Sequence, residues 1–278
     1  MTVPQRNPIA RRYVDLMMMI ASKWANWEPT STIQCGDYGD IDIETGYFIK
    51  EGNLYEAPEI ADLTSQYPPT LKGAEKDYKY TSVNAKEAKV KPGIKWQVAS
   101  TLRYVDDDTT EGSLFCGRWQ FSQARGAVLM MYQSQITKVP SELLDTLKES
   151  GWAIGKHIVE HVHTCPAYAI YISDMSKEAV SIALRSDRPE SAGPTGLNWV
   201  TSGATGLFRG EISADKNKYV PLYQLTEIRP RAGKRRESPD PENDDKLVYW
   251  HVDIPWDFLD DEGEEIPEDK LNDPGWDR

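Results

Sequence analysis

The chain is poor in the residues that mark many familiar classes. Its three cysteines, Cys35, Cys116 and Cys165, are widely spaced and odd in number. Without a CxxC pair, a disulfide scaffold and a zinc ribbon are excluded, and reduced cytosolic thiols are the simplest reading. The opening residues lack the basic, apolar and small-residue pattern of a secretory signal, so no leader is expected. The longest apolar run near the start, residues 13–21, contains Asp15 and is about half of the roughly 20 residues a membrane helix needs. GxSxG, Walker A, HExxH and strand-linked dinucleotide motifs are all missing, so nothing points to an enzyme and no cofactor is expected. A pI near 4.9 argues against nucleic acid as a partner.

What is present is a charge split. Residues 237–278 hold 16 acidic and three basic residues, a net of −13. The whole chain of 278 residues is at −12, which leaves residues 1–236 at +1. The negative charge therefore sits on a tail behind a basic segment, residues 229–236. The tail reads as two parts. Residues 229–245 form an exposed linker open to proteases, and residues 246–278 carry the aromatic residues Tyr249, Trp250, Trp256 and Phe258.

Ahead of the tail, Asn7 and Pro8 can start a helix over residues 9–27, with Ile9, Tyr13, Leu16, Met17, Ile20 and Trp24 on one face. Such a helix packs on a core or, given Arg11, Arg12, Lys23 and Trp24, lies on an anionic membrane surface. Residues 33–55 read as two short strands around a turn at residues 44–46. The acids Asp37, Asp40, Asp42 and Glu44 lack EF-hand spacing and read as solvent-facing. Residues 57–80 read as loop. Two strand arms follow, residues 86–105 and 113–132, as a long antiparallel hairpin broken near residues 123–126. A helix with Ser141 as N-cap candidate, Leu143, Leu144 and Leu147 as its face and Gly151 as its stop comes next. Strands are expected at 157–164 paired with 167–172, then at 179–185, 197–200, 206–212 and 219–228. His157, His161, His163 and Cys165 would share one strand face, which leaves open a zinc or hydrolytic site.

Leu143-Leu-Asp-Thr-Leu-Lys-Glu-Ser-Gly151 followed by His157-Ile-Val-Glu-His-Val-His-Thr164 resembles the short helix and following strand of the gasdermin pore-forming domain. Residues 206–228, ending in Val220-Pro-Leu-Tyr-Gln-Leu225, resemble that domain's returning arm and last strand. The resemblance covers roughly residues 7–228 and follows the order of elements. It implies an α+β fold, a twisted antiparallel sheet with flanking helices and long hairpins, plus a short acidic tail. It also implies a pore-forming domain over residues 1–228, a linker over 229–245 and an autoinhibitory tail over 246–278. The short tail is similar to that of fungal members, in which proteolysis frees a domain that kills the cell in non-self recognition.

On that resemblance, the expected partners are anionic membrane lipids, an activating protease of subtilisin-like or basic-specific type, and further copies of the chain after cleavage. Cleavage is expected around Arg231, Lys234, Arg235, Arg236, Glu237 and Ser238. Lipid contact is expected at Arg11, Arg12, Lys23, Trp24, Lys95 and Arg103, and tail docking at Tyr249, Trp250, Trp256 and Phe258. The intact chain would be cytoplasmic and the cut one bound to the plasma membrane or other cell membranes. A soluble interaction module with a partner-recruiting tail is the competing reading.

Overall fold

The computed structural model describes residues 8–87, 114–122, 124–185, 196–202, 206–230 and 247–256. The fold is α+β with antiparallel sheets, as expected. The first helix, α1, spans Pro8–Ala21 and opens on proline, whose fixed φ suits the first helical position. It ends well short of residue 27, because Ser22 turns to φ +50°. Trp24 therefore lies on a short strand, β1 (Trp24–Ala25), and not on the helix. The buried stripe also differs from expectation: Ala10, Tyr13, Val14 and Met17 face inward, while Ile9 is 40% exposed.

Strands β2 (Asp37–Ile41) and β3 (Phe48–Asn53) pair around the expected turn. Residues 57–80 correct the sequence reading. They contain α2 (Ala61–Gln66) and most of β4 (Thr70–Thr81), a long edge strand with almost no buried residue. Strand β5 (Ala85–Glu87) begins the expected hairpin arm, and the rest of that arm lies outside the described residues. Strands β6 (Leu114–Phe121) and β7 (Ala127–Lys138) are separated at the break foreseen near residues 123–126. Helix α3 (Ser141–Ser150) buries Leu143, Leu144 and Leu147 and stops at Gly151, which adopts φ +70°. Its N-cap is Pro140, so Ser141 is the first helical residue and not the cap.

The remaining strands are β8 (His157–Cys165), β9 (Ala167–Ile172), β10 (Ala179–Arg185), β11 (Gly196–Ser202), β12 (Leu207–Ile212), β13 (Tyr219–Pro230) and β14 (Leu247–His251). β8 and β9 do not pair side by side. They run end to end along β7 on either side of Pro166, which cannot donate to a ladder.

The described strands form two sheets. The larger follows the order β1-β13-β8-β7-β9-β12, with β4 on the other side of β7 and β14 beside β13. The smaller follows β5-β6-β10-β11. Alternation along β7 and β9 divides the core between two layers. Leu129, Met131, Tyr168 and Ile170 join α1 in the main cluster. Val128, Met130, Ala169 and Tyr171 instead meet Trp119, Phe121, Val180 and Ile182 of the smaller sheet. Each of these large apolar side chains contributes about 1.5–3 kcal/mol on burial.

The two sheets are sequential pieces of the same strands. β4 leads into β5, β6 into β7, β9 into β10 and β11 into β12, and both sheets keep one lateral order, β4-β7-β9-β12 and β5-β6-β10-β11. The central pair also keeps one register. Lys138 opposes His161, Tyr132 opposes Ala167, Ala127 opposes Ile172, Gln120 opposes Ala179 and Leu114 opposes Arg185. No residue is gained or lost between these pairs. The smaller sheet is thus the end of a four-stranded ribbon folded back over the larger sheet.

Candidate functional site

The tail meets the body along a seam on the edge of β13. Five pairs join β13 to β14, from Thr226 opposite His251 to Pro230 opposite Leu247. Beyond the strand, the Val252 N–H donates to Leu225 O at 3.2 Å. The Trp24 Nε1–H in turn donates to Val252 O at 2.8 Å.

Trp256 closes the seam and is only 7% exposed. Its indole N–H donates to Asp15 Oδ1 at 2.8 Å. Its ring lies 4.8 Å from the Arg11 guanidinium carbon and meets the Trp24 ring edge-on at 5.9 Å. Trp24 itself stacks on Tyr223 at 6.4 Å. An aspartate in the middle of an apolar helix is costly to bury unless its oxygens are bonded, and the tail supplies such a bond. A second tie crosses the strands. The His161 Nδ1 and Gln224 Oε1 are 3.0 Å apart, and Gln224 Nε2 lies 2.7 Å from His251 Nδ1. A cleft of about 290 Å³ beside this tie is lined by Ser141, Leu144, Asp145, Glu160, Thr226 and His251, so the tail forms one of its walls.

The seam brings together residues that the sequence reading assigned to two different roles. Arg11 and Trp24, expected on lipid, are buried beneath or beside Trp256, expected on the tail. Arg12 and Lys23 are half-buried. Lys23 Nζ lies 3.4 Å from Ala21 O, and its pKa is lowered by burial and by Lys72. Tyr249 and Trp250 are on β14, opposite Ile228 and Glu227. Lys95, Arg103, Phe258 and the residues around the expected cleavage site, Arg231, Lys234, Arg235, Arg236, Glu237 and Ser238, lie outside the described residues. Asp15, Gln224, His251 and the Val252 carbonyl were not foreseen. Asp15 carried a signal, an acid set within an apolar helical face; the others carried none.

The histidine face does not form as expected. β8 carries one extra residue between Val159 and His161 relative to β13, which reverses its alternation and separates His157 from His161 and His163. His157 Nδ1 faces Asp40 at 3.4 Å. His163 is buried with neither ring nitrogen hydrogen-bonded and packs edge-on to Tyr78 at 6.0 Å. Burial, aided by Lys23, His161 and Lys72, pushes its pKa down to about 3. The His161 pKa is also lowered, chiefly by burial. Burial raises the Cys165 thiol pKa and pushes that of Cys35 up to about 12, which makes both poor nucleophiles. Among the described residues no group of three or more His, Cys, Asp or Glu side chains could hold a metal ion. No described helix is long and apolar enough to cross a membrane, a criterion that leaves strands untouched.

No family model matches the chain, and no curated protein matches it significantly. Among solved structures it is similar to the cryo-EM structure of the Gasdermin A3 membrane pore. The identity is 8%, over 87% of this chain and 99% of that chain, with a TM-score of 0.30. A likeness of that size carries no argument, and the functional reading rests on the chain's own geometry and motifs.

Proposed function

We propose that this chain is a pore-forming protein of the gasdermin type, held inactive by its C-terminal tail. The observation that carries the reading is the folded-over ribbon: four strands in one lateral order, with the central pair in one register through both sheets. Opening that fold lengthens all four strands together, as a membrane-inserting ribbon requires. The arm from Leu114 to Lys138 then exceeds the roughly ten residues a tilted transmembrane strand needs. The smaller sheet also carries the alternation of a barrel wall. Trp119, Phe121, Val180 and Ile182 are buried, while Arg118 and Gln120 are exposed. On opening, the first set would meet lipid and the second the lumen.

The tail's part is to cover Arg11 and Asp15 of α1 and to carry negative charge. Cutting directly after Arg236 would release a segment with a net charge of −13 and leave a body near neutrality. Arg11, Arg12, Lys23, Lys95 and Arg103 would then approach anionic lipid, where each basic residue is worth about 1 kcal/mol. Copies assemble into a pore, and the cell dies, in the manner of the fungal non-self response. The intact form stays in the cytoplasm until a protease acts.

The test is expression in yeast of the full chain with an inserted protease site between residues 231 and 246, alongside an inducible matching protease. Induction is expected to kill. Normal growth with cleavage confirmed on a gel would overturn the reading and favour a soluble interaction module.

A further inference from the structure

The fold-over bends each strand at a corner, and the corner between β9 and β10 contains a fully buried carboxylate, Glu178. Its Oε2 accepts the Tyr171 hydroxyl at 2.7 Å. Its Oε1 accepts the Met175 N–H at 2.9 Å, and both oxygens lie 3.3 Å from the Asp174 nitrogen. The Tyr171 ring is packed among Phe121, Val128 and Met130 in the layer between the sheets. Its hydroxyl also abuts Gly206, where a Cβ would lie 2.5 Å from the Tyr171 oxygen. One carboxylate–phenol pair thereby touches two of the four corners.

The facing corner between β6 and β7 is tied to the same place. The Gly126 N–H donates to Ser173 Oγ at 2.7 Å, where a straight ladder would use a backbone carbonyl. The Ser173 N–H donates to Gly126 O at 2.8 Å and the Arg125 N–H to Ser173 O at 3.0 Å. At the far side the Phe121 N–H donates to Glu178 O, and the Lys177 N–H to Phe121 O, each at 2.9 Å. Between these ties, neither residues 122, 124 and 125 nor residues 174–177 belong to a strand, yet the flanking pairs on both sides share one register. Straightening this corner therefore needs no strand slippage. It needs the Asp174 and Met175 amides released from the Glu178 carboxylate, because a charged acceptor competes strongly for backbone donors.

We propose that Glu178, acting through Tyr171 and the amides of Asp174 and Met175, is the latch that keeps the arm folded over the sheet. This rests on the pore-forming reading for its purpose, and on hydrogen-bond geometry alone for its existence. With the latch closed, the smaller sheet covers Val128, Met130 and Ala169. With it open, β9 and β10 join as one strand beside β6 and β7. Glu178 is a positioning residue for the conformational change and contacts no ligand.

Hydrogen exchange on the full chain tests the latch without any membrane. In Tyr171→Phe, which keeps the ring and removes one bond, exchange at the Asp174, Met175, Lys177 and Phe121 amides is expected to rise about 10- to 100-fold. Glu178→Gln is expected to do the same more strongly, because an amide cannot accept from all of these donors. Exchange at Val162 and Tyr223, in the strands beneath the seam, is expected to stay unchanged. Unaltered corner exchange in both variants, or a uniform rise across the chain, would overturn the latch. A second readout is dye release from phosphatidylcholine–phosphatidylserine vesicles after cutting an inserted site between residues 231 and 246. Tyr171→Phe is expected to shorten the lag, and an unchanged lag beside raised corner exchange would also overturn the latch. If the cut parent chain releases no dye while the corner exchange rises as stated, the pore-forming reading fails and the latch stands as a property of the fold.

Discussion

The large sheet is covered on both faces, but by elements of opposite kind. On one side, α1 and the tail seam close over Trp24, Asp15 and Arg11. On the other, the smaller sheet lies over Val128, Met130 and Tyr171. The seam is made by a segment far away in sequence, and on the proposed reading a single cut in the intervening residues 231–246 detaches it. The smaller sheet is continuous with the strands it covers, so it can leave only by unbending. Removable cover and hinged cover are thus separated in the chain and in space. The proposed reading has loss of the first leave the second in place. That separation suits a protein whose activation has two steps, release and unfolding of the arms, and it gives ways to perturb one side without the other.

The largest effect is expected from Trp256→Ala. It removes the bond to Asp15, the stack on Arg11 and the contact with Trp24 together. Loss of a buried tryptophan typically costs 3–5 kcal/mol, and at this boundary about 3 kcal/mol is expected against the seam. The check is hydrogen exchange at Val252, whose amide bonds Leu225 O. It should rise by roughly two orders of magnitude, while Phe121 and Met175 at the corners keep their protection. Loss of protection on both sides would show that seam and fold-over are one cooperative unit.

Acid sharpens the same contrast. All four histidines, His157, His161, His163 and His251, lie on β8 or the tail strand, none on the arms. His163 has an ordinary pKa of 6.5 held down to about 3 by burial, so the folded state favours its neutral form. Its stability contribution is complete above about pH 6.5 and is lost as pH falls toward 3. The slope approaches 1.4 kcal/mol per pH unit, or about 2 kcal/mol at pH 5. Denaturant unfolding between pH 6.5 and 5 should show this slope in the parent chain and a flatter one in His163→Phe. Equal slopes would mean that His163 opens to solvent before it titrates.

The smallest effect is expected at Gln224. Gln224→Leu breaks the bridge between His161 and His251 but leaves the five strand pairs and Trp256 in place. About 1 kcal/mol is expected, read as a modest rise in exchange at Thr226 and Val252. A loss as large as that of Trp256→Ala would move the centre of the seam from the indole to the amide.

Much of this architecture was legible in the sequence, and the failures have physical causes. α3 was readable because its leucines repeat at helical spacing between Pro140 and Gly151. The break near residues 123–126 was readable from its glycine and polar residues. β4 was not, because an exposed edge strand guarded by Lys72, Lys76 and Lys79 has no buried face to impose alternation. Trp24 was misplaced because a stray positive φ at Ser22, which no motif announces, ends the helix early. Trp256 was expected to dock, but its partner was not foreseen, since Asp15 finds its donor 241 positions away. Glu178 drew no reading from the sequence, because a lone acid ahead of a strand marks no motif. Only the register that places Tyr171 and Gly206 around it reveals a buried acceptor.

The central claim is that the tail is a removable cover over a body ready to unfold its arms into lipid. Its most direct test is dye release from phosphatidylcholine–phosphatidylserine vesicles by the full chain carrying an inserted protease site between residues 231 and 246. The account predicts no release before the protease is added and rapid release after cutting, with none from vesicles of phosphatidylcholine alone. Complete cutting with the vesicles left intact would contradict it.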